Sequence, residues 1–316
     1  TNDFGSVALA GFAYVVKSPN NPGDVYSWFQ KTQQGAIDFA TDSSLSNGNI
    51  NLPTATVQGY AGSGIGGDNH FTVGIGSNSA AMHIQAAVDA AASGATINVG
   101  AGTYAETLNI TQGVDIEGAG VDQTIIQPNA LMNSGVGHKY ASNAKVTVLV
   151  NGASGVTLNG LTINGNDLGN DAVVLWNNAS GTISNSLIEN AKTFDGVQTG
   201  QALGVDAGGG GSTTLTVDNV TFQNFNKNAI DAVNGNSLTS GGGNIDLTVQ
   251  NSHITGAGST GTIAQNGIVV WERGGGTIDA TIDNVTFADL DYTDPTAATA
   301  AGVLQYGSPS GTVTVK

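Results

Sequence analysis

The 316-residue sequence contains no cysteine, and its 8 lysine and arginine residues are outnumbered by 24 aspartates and glutamates. The formal net charge of −16 repels nucleic acid and acidic lipid headgroups, so both are poor candidates as partners. No run of about 18 apolar residues is present, which argues against a membrane-spanning helix. Because the chain is so poor in lysine and free of cysteine, we predict a secreted bacterial protein of the cell surface.

Glycine, with 47 residues, and the small polar residues fill much of the chain, and they mark a repeat. Four segments align, namely TISNSLIEN, LTVDNVTFQN, LTVQNSHITG and ATIDNVTFAD. Each has an asparagine between two β-prone runs, and successive asparagines are 32 to 34 residues apart. Asparagine tolerates the backbone of a sharp corner, and stacked amides can hydrogen-bond to one another. We therefore predict a structural ladder of corner residues, formed by Asn185, Asn219, Asn251 and Asn284.

A third apolar run completes each unit, as in DAVVLWN, QALGVDA, NAIDAVN and NGIVVWE. Our alignment of these runs turns Val173 and Leu175 inward and Trp176 outward. Several short strands per unit, at a period too long for a heptad, indicate coils that stack and share one core. The repeat therefore predicts a parallel β-helix.

The segment HIQAAVDAAASGATINVGAGTYAETLNITQGVDIEGAGVDQTII resembles the opening of right-handed parallel β-helix proteins of the pectate-lyase-like superfamily, which includes the pectin methylesterases. The resemblance implies an all-β, right-handed parallel β-helix over residues 81–316, with a short helix at 82–92 that caps its N-terminal end. Residues 1–80 lie outside this pattern, and we predict a β-rich accessory or assembly segment there. The superfamily includes lyases, hydrolases, esterases, epimerases and adhesins, so the resemblance implies a fold rather than one activity.

The stretch QALGVDAGGG is similar to the substrate-binding strand of the methylesterases. The next unit reads NKNAID, where that family has a Gln-Asp pair, and no later Asp-Arg signature follows. We therefore assign none of the family's catalytic residues to this chain.

The outward positions of the third runs form a candidate glycan-binding or partner-binding face. Aromatic rings stack on sugars and carboxylates accept hydrogen bonds from hydroxyl groups. The candidates for binding are Trp176, Asp206, Asp231, Trp271 and Tyr306. Weak candidates for catalysis are Asp206, Asp231, Glu272 and Arg273, since paired carboxylates can act as acid and base. The alternative is that these aromatic residues pack under a loop or against residues 1–80.

Two further groups of residues are considered for chemistry. The insertion GVGHKYASN brings together His138, Lys139 and Tyr140, a trio that could shuttle protons, although an exposed loop tip with mixed polar residues is the commoner explanation. We predict no cofactor, with calcium as the one exception, because Asp289, Asp291 and Asp294 form a weak candidate calcium site.

The last residues, SGTVTVK, form a strand with no cap after it, and an open edge promotes pairing between chains. We therefore predict a non-enzymatic structural or adhesive protein that assembles head to tail through residues 1–80 and this strand. One alternative is a polysaccharide-active lyase, hydrolase or epimerase with Asp206 and Asp231 in its cleft. A third is an adhesin that binds glycan without turnover. The predicted partner is accordingly either a second copy of the chain or a polysaccharide.

Overall fold

A computed structural model describes strands at residues 12–17, 25–30, 56–58 and 70–73 by their backbone alone. It then describes residues 84–91, 93–139, 141–193, 199–235, 242–258, 263–292, 300–307 and 311–316. Tyr140 and Asp294, two of the residues considered above, lie outside this described part, as does most of the segment 1–80.

The described strands form three long sheets and a separate antiparallel pair, which consists of β1 (Phe12–Lys17) and β2 (Val25–Gln30). The first sheet contains β3 (Thr56–Gln58), β4 (His70–Val73), β5 (Ala95–Val99), β8 (Val114–Gly118), β12 (Ser154–Asn159), β15 (Ser180–Ser184), β18 (Ser212–Asp218), β21 (Asn244–Gln250), β24 (Gly276–Asp283) and β27 (Gly311–Val315). The second contains β6 (Gly102–Tyr104), β9 (Thr124–Ile126), β13 (Thr162–Asn164), β16 (Leu187–Ala191), β19 (Thr221–Phe225), β22 (His253–Thr255) and β25 (Thr286–Ala288). The third contains β7 (Leu108–Ile110), β10 (Met132–Asn133), β11 (Lys145–Asn151), β14 (Ala172–Asn177), β17 (Gln201–Ala207), β20 (Asn228–Asn234), β23 (Asn266–Glu272) and β26 (Ala301–Tyr306).

Each strand of a coil pairs in parallel with the corresponding strand of the next coil. In the third sheet, for example, β17 pairs with β20 and β20 pairs with β23. Inward side chains from all three sheets form one continuous apolar core, as expected when stacked coils bury a shared interior. The predicted all-β parallel β-helix is therefore confirmed.

A short helix closes the start of this core. Helix α1 (Ile84–Ala90) lies within the predicted span of 82–92, and Ile84, Ala87 and Val88 are buried in the core. Preceding it, β4 pairs in parallel with β5, so the first sheet includes strands from residues 56–73. The division of the chain into residues 1–80 and 81–316 stays a prediction. The helix is too short to cross a membrane, and no helix in the described ranges is long and apolar enough to do so.

The corner asparagines adopt the left-handed backbone conformation. Asn185, Asn219, Asn251 and Asn284 all have φ between 47° and 54°. The amide of Asn219 donates to Asn185 over 2.8 Å, and the amide of Asn284 donates to Asn251 over 2.9 Å. Between these two pairs, Asn251 donates to the carboxylate of Asp218 instead of to Asn219. The column is therefore a chain of amide and carboxylate bonds rather than amides alone.

The register of β14 corrects one of our alignments. Trp176 pairs with Val205, and its side chain is fully buried in the core, whereas Leu175 pairs with Gly204 on the other face. The prediction of Trp176 as an outward binding residue is wrong, because the true register shifts β14 by one residue relative to our alignment. A shift of one position moves every side chain of a strand to the opposite face.

Candidate functional site

Residues 134–139 and 141–144, between β10 and β11, cover part of the outer face of the third sheet. Every residue of β17 and of β20 is buried, so these strands are shielded on both faces. His138 and Lys139 of the covering loop are 1% and 6% exposed. The interpretation of this loop as an exposed tip is therefore wrong, because its two basic side chains lie against carboxylates of the sheet.

His138 is paired with Asp206 of β17. The ring nitrogen Nδ1 lies 3.0 Å from Oδ2 and 3.1 Å from Oδ1 of the carboxylate. Gly204, two residues earlier on the same strand, makes room for the ring, since a Cβ atom there would lie 2.8 Å from Cε1 of His138. The third sheet thus contains a glycine where the histidine packs.

Lys139 is paired with Asp231 of β20, on the next coil. Its ammonium donates to Oδ2 of Asp231 over 2.7 Å, and the amide of Asn228 donates to the same oxygen over 3.0 Å. The amide of Gln201 lies 3.5 Å from this oxygen. Asp231 is fully buried, so these donors replace the water that an exposed carboxylate would bind.

The two carboxylates have pKa values that move in opposite directions. Burial raises the pKa of Asp206, and the opposing effect of His138 is too small to cancel the rise. Burial would also raise the pKa of Asp231, but the charges of Lys139 and His138 outweigh it and lower that pKa. Burial would lower the pKa of His138, whereas the Asp206 carboxylate raises it above the ordinary value. Neighbouring acids whose pKa values are pushed apart are suited to separate acid and base roles.

Arg273 links the covering loop to an aromatic wall. Its Nη1 donates to the backbone carbonyl of Lys139 over 2.7 Å, and its guanidinium carbon lies 4.4 Å from the centre of the Trp271 ring. Trp271 in turn lies 5.6 Å from the ring of Tyr306, centre to centre. Such a cation–π contact stabilises by about 0.5–2 kcal/mol, so the arginine is held on the indole face.

A pocket of about 280 Å³ opens beside this wall. Its lining includes two lysines, two asparagines and both aromatic rings, namely Lys139, Lys227, Asn228, Asn266, Trp271 and Tyr306. Apolar rings combined with a few amide and ammonium donors are what a sugar-binding pocket requires. Asp206 and Asp231 do not line the pocket, but Lys139 and Asn228 contact both the pocket and Asp231.

The other predicted residues lie in different surroundings. Glu272 is buried and accepts a hydrogen bond from the backbone amide of Gly275, so it fixes the turn after β23. Asp289 has a left-handed backbone, and Asp291 accepts from the amide of Tyr292. Among the residues that the structure describes, no three histidines, cysteines, aspartates or glutamates are grouped as metal ligands. A calcium site that includes Asp294 stays a prediction.

Sequence reasoning missed the partners of the two carboxylates. Nothing in the repeat predicts that the loop folds back over the third sheet, because His138 and Asp206 are 68 residues apart. Two signals are present in the sequence, namely the basic pair His138-Lys139 in an insertion and a glycine, Gly204, inside a strand. A glycine inside a strand often marks the close approach of another group.

The sequence matches no protein-family model, and no curated protein is similar enough to count as a relative. Several solved structures are similar to this chain. A pectin methylesterase mutant in complex with a hexasaccharide is 12% identical, with a TM-score of 0.36 over 73% of this chain and 88% of that one. The pectin methylesterase from Yersinia enterocolitica is 15% identical, with a TM-score of 0.30 over 73% of this chain and 93% of that one. The pectin methylesterase from Erwinia chrysanthemi is 12% identical, with a TM-score of 0.30 over 71% of this chain and 85% of that one.

This similarity agrees with the predicted resemblance to right-handed parallel β-helix proteins of the pectate-lyase-like superfamily, and at these values it concerns the fold alone. The solved structures are all pectin methylesterases, and none of the comparisons supports the predicted non-enzymatic structural or adhesive subunit. That first prediction is withdrawn.

Proposed function

We propose that this protein is a polysaccharide-active enzyme that uses the carboxylates of Asp206 and Asp231 as an acid–base pair. The observation that carries the proposal is that Lys139 and Asn228, which bond the buried Asp231 carboxylate, also line a pocket that contains two aromatic rings. The opposite directions in which the pKa values of Asp231 and Asp206 move agree with separate roles for the two acids. Asp231, with its lowered pKa, is the ionised base or nucleophile. Asp206, with its raised pKa, shares a proton with His138 and is the acid that donates this proton to the leaving group.

The aromatic wall supplies the substrate class. Trp271 and Tyr306 present rings on which sugar units stack, while the lysines and asparagines of the pocket hydrogen-bond to ring substituents. Lys139 and Lys227 also place positive charge on a chain whose net charge is −16. We place the substrate outside the cell, in keeping with the cysteine-free and lysine-poor composition.

A panel of purified polysaccharides tests the proposal. Three products are measured for each, namely new reducing ends, unsaturated sugar ends and acid released from esters, which separate hydrolase, lyase and esterase chemistry. Asp206→Asn and Asp231→Asn should each lower the rate at least about 100-fold, as expected for loss of a general acid or base. Asp246→Asn, which changes an exposed carboxylate of the first sheet, is the matched control and should keep the full rate.

Two outcomes would contradict the proposal. If both variants still turn over the polysaccharide, the two carboxylates do not take part in catalysis. Retention of a polysaccharide on the wild-type protein, with none of the three products formed, would leave glycan binding as the function.

A further inference from the structure

Lys139 connects the pocket with the buried carboxylate of Asp231. Lys139 lines the pocket and donates to Oδ2 of Asp231 over 2.7 Å, whereas Asp231 itself is fully buried. The second oxygen, Oδ1, is buried and makes no hydrogen bond to the described part of the chain. A buried carboxylate oxygen without a donor is costly, and a hydroxyl group arriving from the pocket would satisfy it.

A second unsatisfied acceptor lies on the same side. Asn266 lines the pocket, and its buried Oδ1 has no donor among the residues that the structure describes, while its amide nitrogen donates to Asn228 over 3.1 Å. Asn228 in turn donates to Asp231. One chain of hydrogen bonds therefore joins the pocket wall to the Asp231 carboxylate, and two of its oxygen atoms can accept further hydrogen bonds. Sugar hydroxyl groups are donors of the required kind.

The backbone of Lys139 is held from the opposite direction. Its carbonyl accepts from Arg273, which is stacked on Trp271, and its φ of 53° is in the left-handed region that lysine seldom adopts. Such a conformation persists only where the surroundings impose it. With the backbone fixed, the long and flexible lysine side chain is the part that can move.

We infer that Lys139 is a gate over Asp231 and that Arg273 is the positioning residue that anchors this gate. In the closed state the ammonium blocks the path from the pocket to the carboxylate. A sugar that enters the pocket takes hydrogen bonds from the ammonium. When the lysine moves away, Oδ2 keeps its bond from Asn228 and can accept a further bond from the substrate. This inference rests on the proposed function, in which Asp231 is the group that must reach the substrate.

Carboxylate labelling tests the gate without any substrate. The folded chain is treated with a water-soluble carbodiimide and an amine, and the labelled aspartates are identified by mass spectrometry. In the wild type, Asp206 and Asp231 should stay unlabelled. Lys139→Met should raise labelling of Asp231 at least about tenfold while Asp206 stays protected by His138. Lys192→Ala, at an exposed lysine, is the control and should match the wild type.

The anchor has its own variants. Arg273→Gln should release the loop and expose both aspartates, whereas Arg273→Lys, which keeps a donor for the carbonyl, should restore part of the protection. Thermal unfolding of each variant shows that labelling comes from a folded chain. If Lys139→Met leaves Asp231 protected, or exposes both aspartates equally, the gate is overturned. If Arg273→Gln leaves both protected, the anchor is overturned.

Activity provides a separate reading. Because Lys139 lowers the pKa of Asp231, Lys139→Met should shift the acid limb of the rate profile to higher pH, and a purely structural role would leave that limb in place. An unmoved limb in a folded, active variant would count against the gate. If the chain shows the predicted labelling but turns over no polysaccharide, the gate is supported and the proposed function is rejected.

Discussion

Nδ1 of His138 lies 3.0 Å from the carboxylate of Asp206, and the neighbouring Lys139 lies 2.7 Å from the carboxylate of Asp231 on the next coil. Two consecutive residues of one loop thus pair with two consecutive coils of the third sheet. The loop neutralises charge that the sheet would otherwise bury alone, and this explains why it can cover strands that contain aspartates.

We first predict that the His138–Asp206 pair is strongly coupled. His138→Ala leaves the Asp206 carboxylate buried without its partner and should lower the free energy of unfolding by about 3–5 kcal/mol. The second single variant is Asp206→Asn. Denaturant unfolding of the two single variants and of the double variant measures the coupling energy, which should be about 0.5–3 kcal/mol. His253→Ala, which changes an exposed histidine, is the control and should lower the free energy of unfolding far less. Additive losses in the double variant would contradict the pairing.

The same pair gives stability a defined dependence on pH. The folded pKa of His138 is raised above the unfolded value of 6.5, so its contribution is complete below pH 6.5 and is lost as pH rises through the folded pKa. Asp206 acts in the same direction, since its pKa is raised from 3.8 and the folded state favours its protonated form. Asp231, whose pKa is lowered in the folded state, contributes stability above pH 3.8, and this stability is lost as pH falls through its folded pKa.

Unfolding temperatures measured across pH check these signs. The wild type should lose stability on the alkaline side of pH 6.5, and His138→Gln should show a smaller loss there. The acid-side loss should be reduced in Asp231→Asn, which no longer titrates. An alkaline limb that is identical in the wild type and His138→Gln would show that the histidine is not its source.

Gly204 should tolerate no side chain, because of the histidine above it. A methyl group at this position would lie 2.8 Å from Cε1 and 3.1 Å from Nδ1 of His138, and also 3.0 Å from Leu175. Gly204→Ala should therefore displace the ring and lower the free energy of unfolding by about 1–3 kcal/mol. Gly307→Ala is the matched control, since nothing lies within 4 Å of its added methyl group. Equal stability of the two variants would mean that the ring does not pack where the structure places it.

The repeating part of this fold could be predicted from the sequence. Corner asparagines such as Asn219 and Asn284 need a left-handed backbone, and that local requirement recurs at a regular spacing. The face on which Trp176 lies could not be fixed in the same way. The strand of Trp176 has apolar residues on both faces. The core buries its inner face, and the loop buries its outer face. With both faces apolar, the pattern does not determine the register.

The site itself depends on contacts that no local pattern encodes. Lys139 and Asp231 are 92 residues apart, and Arg273 reaches the Lys139 carbonyl across 134 residues. The sequence indicated Asp206 and Asp231 as outward carboxylates, but it could not show that a loop covers them. Long-range pairing of this kind is decided by how the insertion packs, since an isolated loop has no periodicity to analyse.

The last prediction concerns Tyr306, which is 48% exposed at the edge of the aromatic wall. If sugars stack there, Tyr306→Ala should weaken polysaccharide binding by about 0.5–1.5 kcal/mol, or roughly 2- to 10-fold in affinity, because the ring is lost. Tyr306→Phe keeps the ring and removes only the hydroxyl, so it should bind nearly as well as the wild type. Since the residue is half exposed, neither change should lower the unfolding temperature appreciably. Affinity electrophoresis in gels containing each polysaccharide measures the effect, and equal retardation of the alanine and phenylalanine variants would show that the ring makes no contact with the glycan.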